Sequence, residues 1–429
     1  MRTSRTGSPR SPARWAIVST ARCWSRYPAG GSSNAACSRR TRACSRARRA
    51  TRCAAHAAAA IPATERNTLI AIYQATGGGS WDSNANWCSG ACPASGTPTF
   101  NAVGTECTWY GISCAPGDTH VVAVDLGGNH LAGGPLPALG ALAALTRFDV
   151  GVNAISGALP AIDGLPSLEY FDASANNFSG TIPPLAGLTA LTYFNVFNNT
   201  LEGTIPALAS LTALQQFRAD NNFLTGPIPP LSGLSALQAF IVDNNAQVTA
   251  SGLTGTIPDL AGLTKLEDFE VYGNRLSGHL PALAGLNALR AFAAFDNDLD
   301  GPIPPLDGLV VLQYFAVNDN QLSGAMPVLA GLVALQTVDV SRNELTGALP
   351  PIATLPLLRS IRVGGNHFTG AVPAAAISLL SGQSQLCPNE FDIRPSANDA
   401  LWNIATGIVP WWAGPAGVGC DVIFANGFD

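Results

Sequence analysis

Residues 188–206 read LTALTYFNVFNNTLEGTIP. Within them Phe194 and Val196 alternate with Tyr193, Asn195 and Phe197, the period-two pattern of a strand with one buried face. The arrangement recurs in one register along most of the chain. Asparagine returns at Asn129, Asn153, Asn176, Asn199, Asn222, Asn245, Asn274, Asn297, Asn320, Asn343 and Asn366, and a proline follows each, from Pro137 to Pro373. A fixed period of this length marks a solenoid, in which each turn buries its apolar side only against its neighbours. Each unit therefore predicts one short strand, laid about 4.8 Å beside the last.

The register assigns interior and surface. Phe148, Phe171, Phe194, Phe217, Phe240, Phe269, Phe292 and Phe315 point inward, followed by Val338 and Ile361, with Leu185, Leu188 and Leu191 lining the same interior. The recurrent Asn has another task. A turn leaves backbone N–H and C=O groups facing inward, and a primary amide can satisfy both kinds, so stacked Asn side chains predict a buried ladder. The Gly of each L-x-G supplies a tight bend, and the Pro stiffens an extended return segment. One unit is longer than the rest, and its 246–252 insertion reads as a bulged loop that either is neutral or touches a ligand.

Composition divides the chain. Residues 1–57 are rich in Arg, Ser, Ala and Cys, and carry neither hydrophobic periodicity nor the apolar stretch of a secretory signal. Ala55-His56-Ala57 is nevertheless a small-x-small triplet of the signal-peptidase type, so this segment reads as an aberrant or disordered basic leader. Beyond it 28 acids face far fewer bases, a balance that disfavours nucleic acid as a partner. No apolar run approaches the roughly 18 residues of a membrane helix. Arginine greatly outnumbers lysine, with Lys265 the single lysine, which suggests GC-rich coding and a bacterial source.

The pattern L-x-x-L-x-x-Φ-x-Φ-x-x-N-x-L-x-G-x-Φ-P over residues 120–373 resembles the plant-type leucine-rich repeat of plant receptor-kinase ectodomains and polygalacturonase-inhibiting proteins. The resemblance implies a mostly β, right-handed α/β solenoid of eleven units. Its parallel sheet lies on the concave face, with irregular or 3₁₀ segments on the convex side and a cap at each end. Residues 58–119 read as the N-terminal cap, with a helix over 64–76 ended by Gly77-Gly78-Gly79. In it Cys107-Thr-Trp109-Tyr-Gly111-Ile-Ser-Cys114 resembles the family's cysteine signature. The resemblance implies bridges Cys107–Cys114 and Cys88–Cys92, although four cysteines allow three pairings and a four-thiolate zinc site is the competing reading. Residues 374–429 break the period and read as a C-terminal cap and tail, with a Cys387–Cys420 bridge and with Trp402, Trp411 and Trp412 covering the last repeat. The terminal IFANGFD resembles a tail of exported proteobacterial proteins.

Catalytic signatures are missing: the sequence holds no G-x-S-x-G, no H-E-x-x-H, no phosphate loop and no kinase set. No metal or cofactor is expected. The concave face is the remaining candidate. Its outward positions gather Tyr170, Asp172, Tyr193, Phe197, Arg218, Asp220, Asp243, Asp268, Glu270, Tyr272, Phe295 and Tyr314 in the central repeats. Aromatics held in the open on a rigid sheet mark a binding surface. Asp220 and Asp243, equivalent residues of adjacent turns, are also spaced like a retaining glycosidase pair or a calcium site, but any regular repeat generates such pairs. The expectation is a non-catalytic, secreted or cell-surface module that binds a protein, peptide or glycan ligand. The alternatives are a structural or adhesive spacer and, behind that, a glycan hydrolase.

Overall fold

A computed structural model describes residues 60–246, 252–392, 396–413 and 420. The leader, the tail and most of the 246–252 insertion lie outside the described residues.

The repeats form a parallel-strand solenoid. One twelve-stranded sheet runs from Ile112–Cys114 to Ser360–Arg362. Only its first pair, Ile112–Cys114 with Val121–Asp125, is antiparallel. From there each strand pairs in parallel with the same positions one turn on, as in Tyr170 with Tyr193, Gln216 and Ala239. The inward phenylalanines stack through the interior with ring centroids 5.3–5.8 Å apart. Each is fully or almost fully buried, and each contributes roughly 2–3 kcal/mol by leaving water.

Beyond each rung lies a feature that the repeat pattern did not show. The return segment, expected to be irregular, first forms a second twelve-stranded sheet, from Ala132–Gly133 to Glu390–Phe391. These strands are two to five residues long, and most are anchored by one buried apolar residue after the rung, usually Leu but Ile155, Phe178 and Phe368 in three repeats. Only after it does the chain make the expected tight turns, such as Leu188 N–H to the Leu185 carbonyl and Leu191 N–H to the Leu188 carbonyl.

The asparagine ladder joins the two sheets. Asn199 Nδ2 donates to the Ala173 carbonyl of the preceding turn at 3.0 Å and to Val196 of its own turn at 3.1 Å. Its Oδ1 accepts the Phe178 N–H at 2.9 Å. The same pattern holds from Asn153 to Asn366. It then continues one rung beyond the expected end. Asn389, 23 residues after Asn366, is fully buried, accepts the Phe368 N–H and donates to the Val363 carbonyl. The period thus reaches into the segment read as its break.

The residue before each rung from Asn129 to Asn366 adopts a left-handed conformation. Gly, Asn or Asp fills most of these positions, as their low cost there dictates. Val152, Ala175 and Arg342 do not fit that rule, and Val152, with φ 57°, is β-branched.

The caps cover both ends. Helix α1, Ala63–Ala75, ends at Gly77 in the left-handed region. Its buried Tyr73 packs on Trp81 and Trp87, and Trp87 on Trp109, and Asn129 bonds the cap at Ser83. Cys88–Cys92 and Cys107–Cys114 are bridged, which sets aside the zinc reading. At the other end Cys387–Cys420 is bridged. Helix α2, Asp399–Thr406, buries Trp402, whose Nε1 donates to the Pro373 carbonyl at 2.9 Å. Trp411 is likewise buried. Among the described residues no helix is long and apolar enough to cross a membrane.

Two substitutions test this reading. Asn222→Ala strands the Leu201 N–H in the interior and leaves the Val196 carbonyl with Asn199 Nδ2 alone, and is expected to cost about 1–3 kcal/mol in guanidinium unfolding. Val152→Asn relieves the turn and is expected to add about 1 kcal/mol in the same assay.

Candidate functional site

Each strand of the first sheet presents three outward side chains: one before the inward Phe, one after it, and one two residues further on. Adjacent turns are about 4.8 Å apart, so equivalent side chains stand in columns and touch. The columns gather the expected residues into two groups.

The first group centres on Asp172. Tyr170 and Tyr193 stack with centroids 4.4 Å apart and planes 2° from parallel. Both hydroxyls donate to Asp172 Oδ2, at 3.3 and 3.4 Å, and Asn195 Nδ2 adds a third bond at 3.1 Å. The Ser174 hydroxyl and N–H hold the other oxygen. Arg147 lies 3.7 Å over the far face of Tyr170 and bonds Asp149 at 2.6 Å. Burial, then the Asp172 charge, pushes Asp149 up to about 6. Arg147 was not singled out in the sequence, yet its place just before Phe148 puts it in register with Tyr170 and Tyr193.

The second group is central. In one column stand Phe197, Asp220, Asp243, Tyr272 and Phe295. Arg218 covers Phe197 at 5.1 Å and holds Asp220 with bonds of 3.2 and 3.4 Å. Asn244 Nδ2 donates to Asp243 at 2.8 Å. The Tyr272 hydroxyl bonds Asp243 as well, while its ring stacks on Phe295 with centroids 4.2 Å apart. Glu270 sits in the next column, and Asp268 and Tyr314 flank it. Ala239, Ala293 and Ala316 form a buried floor between the taller side chains.

The electrostatics correct one expectation. Asp172, Asp220 and Asp243 were read as exposed anions, but they keep only 8, 3 and 2 % of their surface. Their side chains are short, and the Tyr, Arg and Asn of neighbouring turns close over them. Burial, then the neighbouring Asp220, pushes Asp243 up to about 8. Asp220 is also raised by burial, against the pull of Arg218. Both carboxyls are thus pushed toward the protonated form, with Arg218 favouring the charge on Asp220. Burial, then Asp268, lifts Glu270 to about 7. Tyr314 is pushed up to about 12 by burial and Asp339. The expected aromatics are half-buried rather than freely exposed. Among the described residues no three His, Cys, Asp or Glu side chains converge to hold a metal ion.

These raised acids make stability depend on pH. The folded chain keeps protons on Asp243 and Glu270 that the unfolded chain has lost above about pH 4, so stability should fall as pH rises from about 4 to about 8. Asp243→Asn removes one contributor. Chemical unfolding at several pH values is expected to show a flatter profile for this variant and, at pH 8, stability equal to or above that of the wild type.

No family model and no curated protein matches the chain. Solved structures do. The leucine-rich-repeat ectodomain of the plant membrane receptor kinase GASSHO1/SCHENGEN3 from Arabidopsis thaliana, in complex with CASPARIAN STRIP INTEGRITY FACTOR 2, is 32% identical with a TM-score of 0.57, over 66% of this chain and 34% of that one. The plant peptide hormone receptor RGFR1 in complex with RGF2 is 28% identical with a TM-score of 0.54, over 61% and 43%. The Arabidopsis receptor kinase HAESA, with the peptide hormone IDA and the co-receptor SERK1, is 27% identical with a TM-score of 0.53, over 67% and 53%. The chain is therefore similar in fold to leucine-rich-repeat ectodomains of plant receptors, and spans from a third to about half of their length.

Proposed function

We propose that this chain is a non-catalytic binding module that takes a peptide or a segment of a protein on its concave sheet, outside the cytoplasm. The observation that carries the reading is the pair of stacked aromatic couples, Tyr170–Tyr193 and Tyr272–Phe295, held half-exposed on paired strands. Side chains fixed in this way lose little entropy on binding and are the residue types enriched at hot spots. The three receptor ectodomains support the reading, since each is described with a peptide or protein factor bound. Three disulfides support an oxidising compartment. A secreted or cell-surface protein exported by a bacterium fits the preponderance of arginine over lysine as well.

The test uses peptides selected from a random dodecapeptide display library on the full, disulfide-bonded chain. Tyr272→Ala combined with Phe295→Ala is expected to weaken them by about 2–4 kcal/mol. The same change should cost about 1–3 kcal/mol of stability through the lost stack, the half-buried ring area and the Tyr272–Asp243 bond, and should leave the chain folded. Selected peptides that bind the double variant as well as the wild type would favour the spacer reading and move any binding elsewhere.

A further inference from the structure

The concave face also carries information about what would lie on it. The stacked rings sit on adjacent turns with nearly parallel planes, so their normals run along the solenoid axis and their edges stand out from the sheet. Tyr170 has both faces covered, one by Arg147 and one by Tyr193. A sugar ring stacks flat on an open aromatic face, which these couples do not turn outward. Side chains and backbone of an extended peptide can lie across ring edges instead. From Phe197 to Phe295 is four turns, roughly 19 Å, or about six residues of extended chain.

Charge selects the peptide further. Carboxyls outnumber guanidiniums on this face, and the guanidiniums are already engaged. Arg147 bonds Asp149 and Asp125, Arg218 bonds Asp220, and Arg362 meets Asp339 at 3.7 Å. Around Asp243 and Glu270 the charged or titratable neighbours are Asp220, Arg218, Asp268, Tyr272 and Tyr314. Only one of these five is a cation, and it faces Asp220.

Resting on the binding-face reading, we propose that the occupant is a basic, extended peptide segment, lying along the axis over Phe197, Tyr272, Phe295 and Ile241 (the outward residue between Arg218 and Glu270), with a lysine or arginine at the half-buried Glu270 beside the buried Asp243. The arriving cation favours the ionised carboxyls. Asp243 and Glu270 then give up the protons they hold near neutral pH, and these pass to the buffer. Affinity therefore rises with pH between about 5 and 8.

The experiment sequences the library peptides and measures the best as synthetic probes, beside versions with Lys and Arg replaced by Gln, and beside a β-1,4-linked glucose hexamer. The expected peptides are enriched in Lys and Arg. They bind at least tenfold tighter at pH 8 than at pH 5.5, and calorimetry in buffers of different ionisation heat shows proton release. The combined Asp243→Asn and Glu270→Gln variant, isosteric and uncharged at both sites, is expected to lose the preference over the Gln versions and the pH dependence. Peptides that depend on Tyr272 and Phe295 but show no basic enrichment and no pH dependence would overturn this inference and leave the binding face intact. Tight binding of the glucose hexamer across the same rings would also overturn it. A library without any binder that depends on those two rings would overturn both.

Discussion

Every turn of a solenoid sends backbone N–H and C=O groups into an apolar interior, and the structure depends on where those groups find partners. The ladder asparagines meet that demand. Each amide spans two turns, donating to carbonyls of the preceding turn and of its own and accepting an N–H of the second sheet. An unmade bond in this interior costs more than a made one contributes. One residue type is therefore retained at one position, while the surface around it varies. The strained turn at Val152 follows from the same constraint, because the rung fixes the bend whatever residue precedes it.

The ladder also determines what the concave face can be. Close, regular turns place equivalent side chains at van der Waals distance, so aromatic neighbours stack and acidic neighbours compete for protons. The Tyr170–Tyr193 couple and the Asp220–Asp243 pair are two results of one geometry. In the first case the shared column creates a rigid apolar edge. In the second it creates buried acid that is less charged than its composition suggests. Both are properties of adjacent turns rather than of single residues, and both persist without a ligand.

Much of this was legible in the chain. The period identified the inward phenylalanines, the rungs and the register of the concave columns, the cap helix stood where its apolar pattern placed it, and the cap cysteines pair as the family resemblance implied. The second sheet was not legible, because its strands are short, interrupted by Gly, and most are anchored by a single buried apolar residue. Asn389 was within reach of the arithmetic, but it sits in a Cys-Pro context unlike the other rungs. The burial of Asp172, Asp220 and Asp243 was hidden for a different reason. It depends on the height of Tyr, Arg and Asn side chains in neighbouring turns, which the register of one residue does not reveal.

Amide hydrogen exchange resolved to single residues tests the central claim most directly. The N–H groups of Leu201, Leu224, Leu276, Leu299, Leu322 and Leu345 each end on the side-chain oxygen of a rung. If the ladder holds the solenoid together, these amides exchange as slowly as those of the first-sheet strands, through unfolding alone. Exchange at the rate of exposed loop amides would show that the rungs are open in solution and would contradict the account.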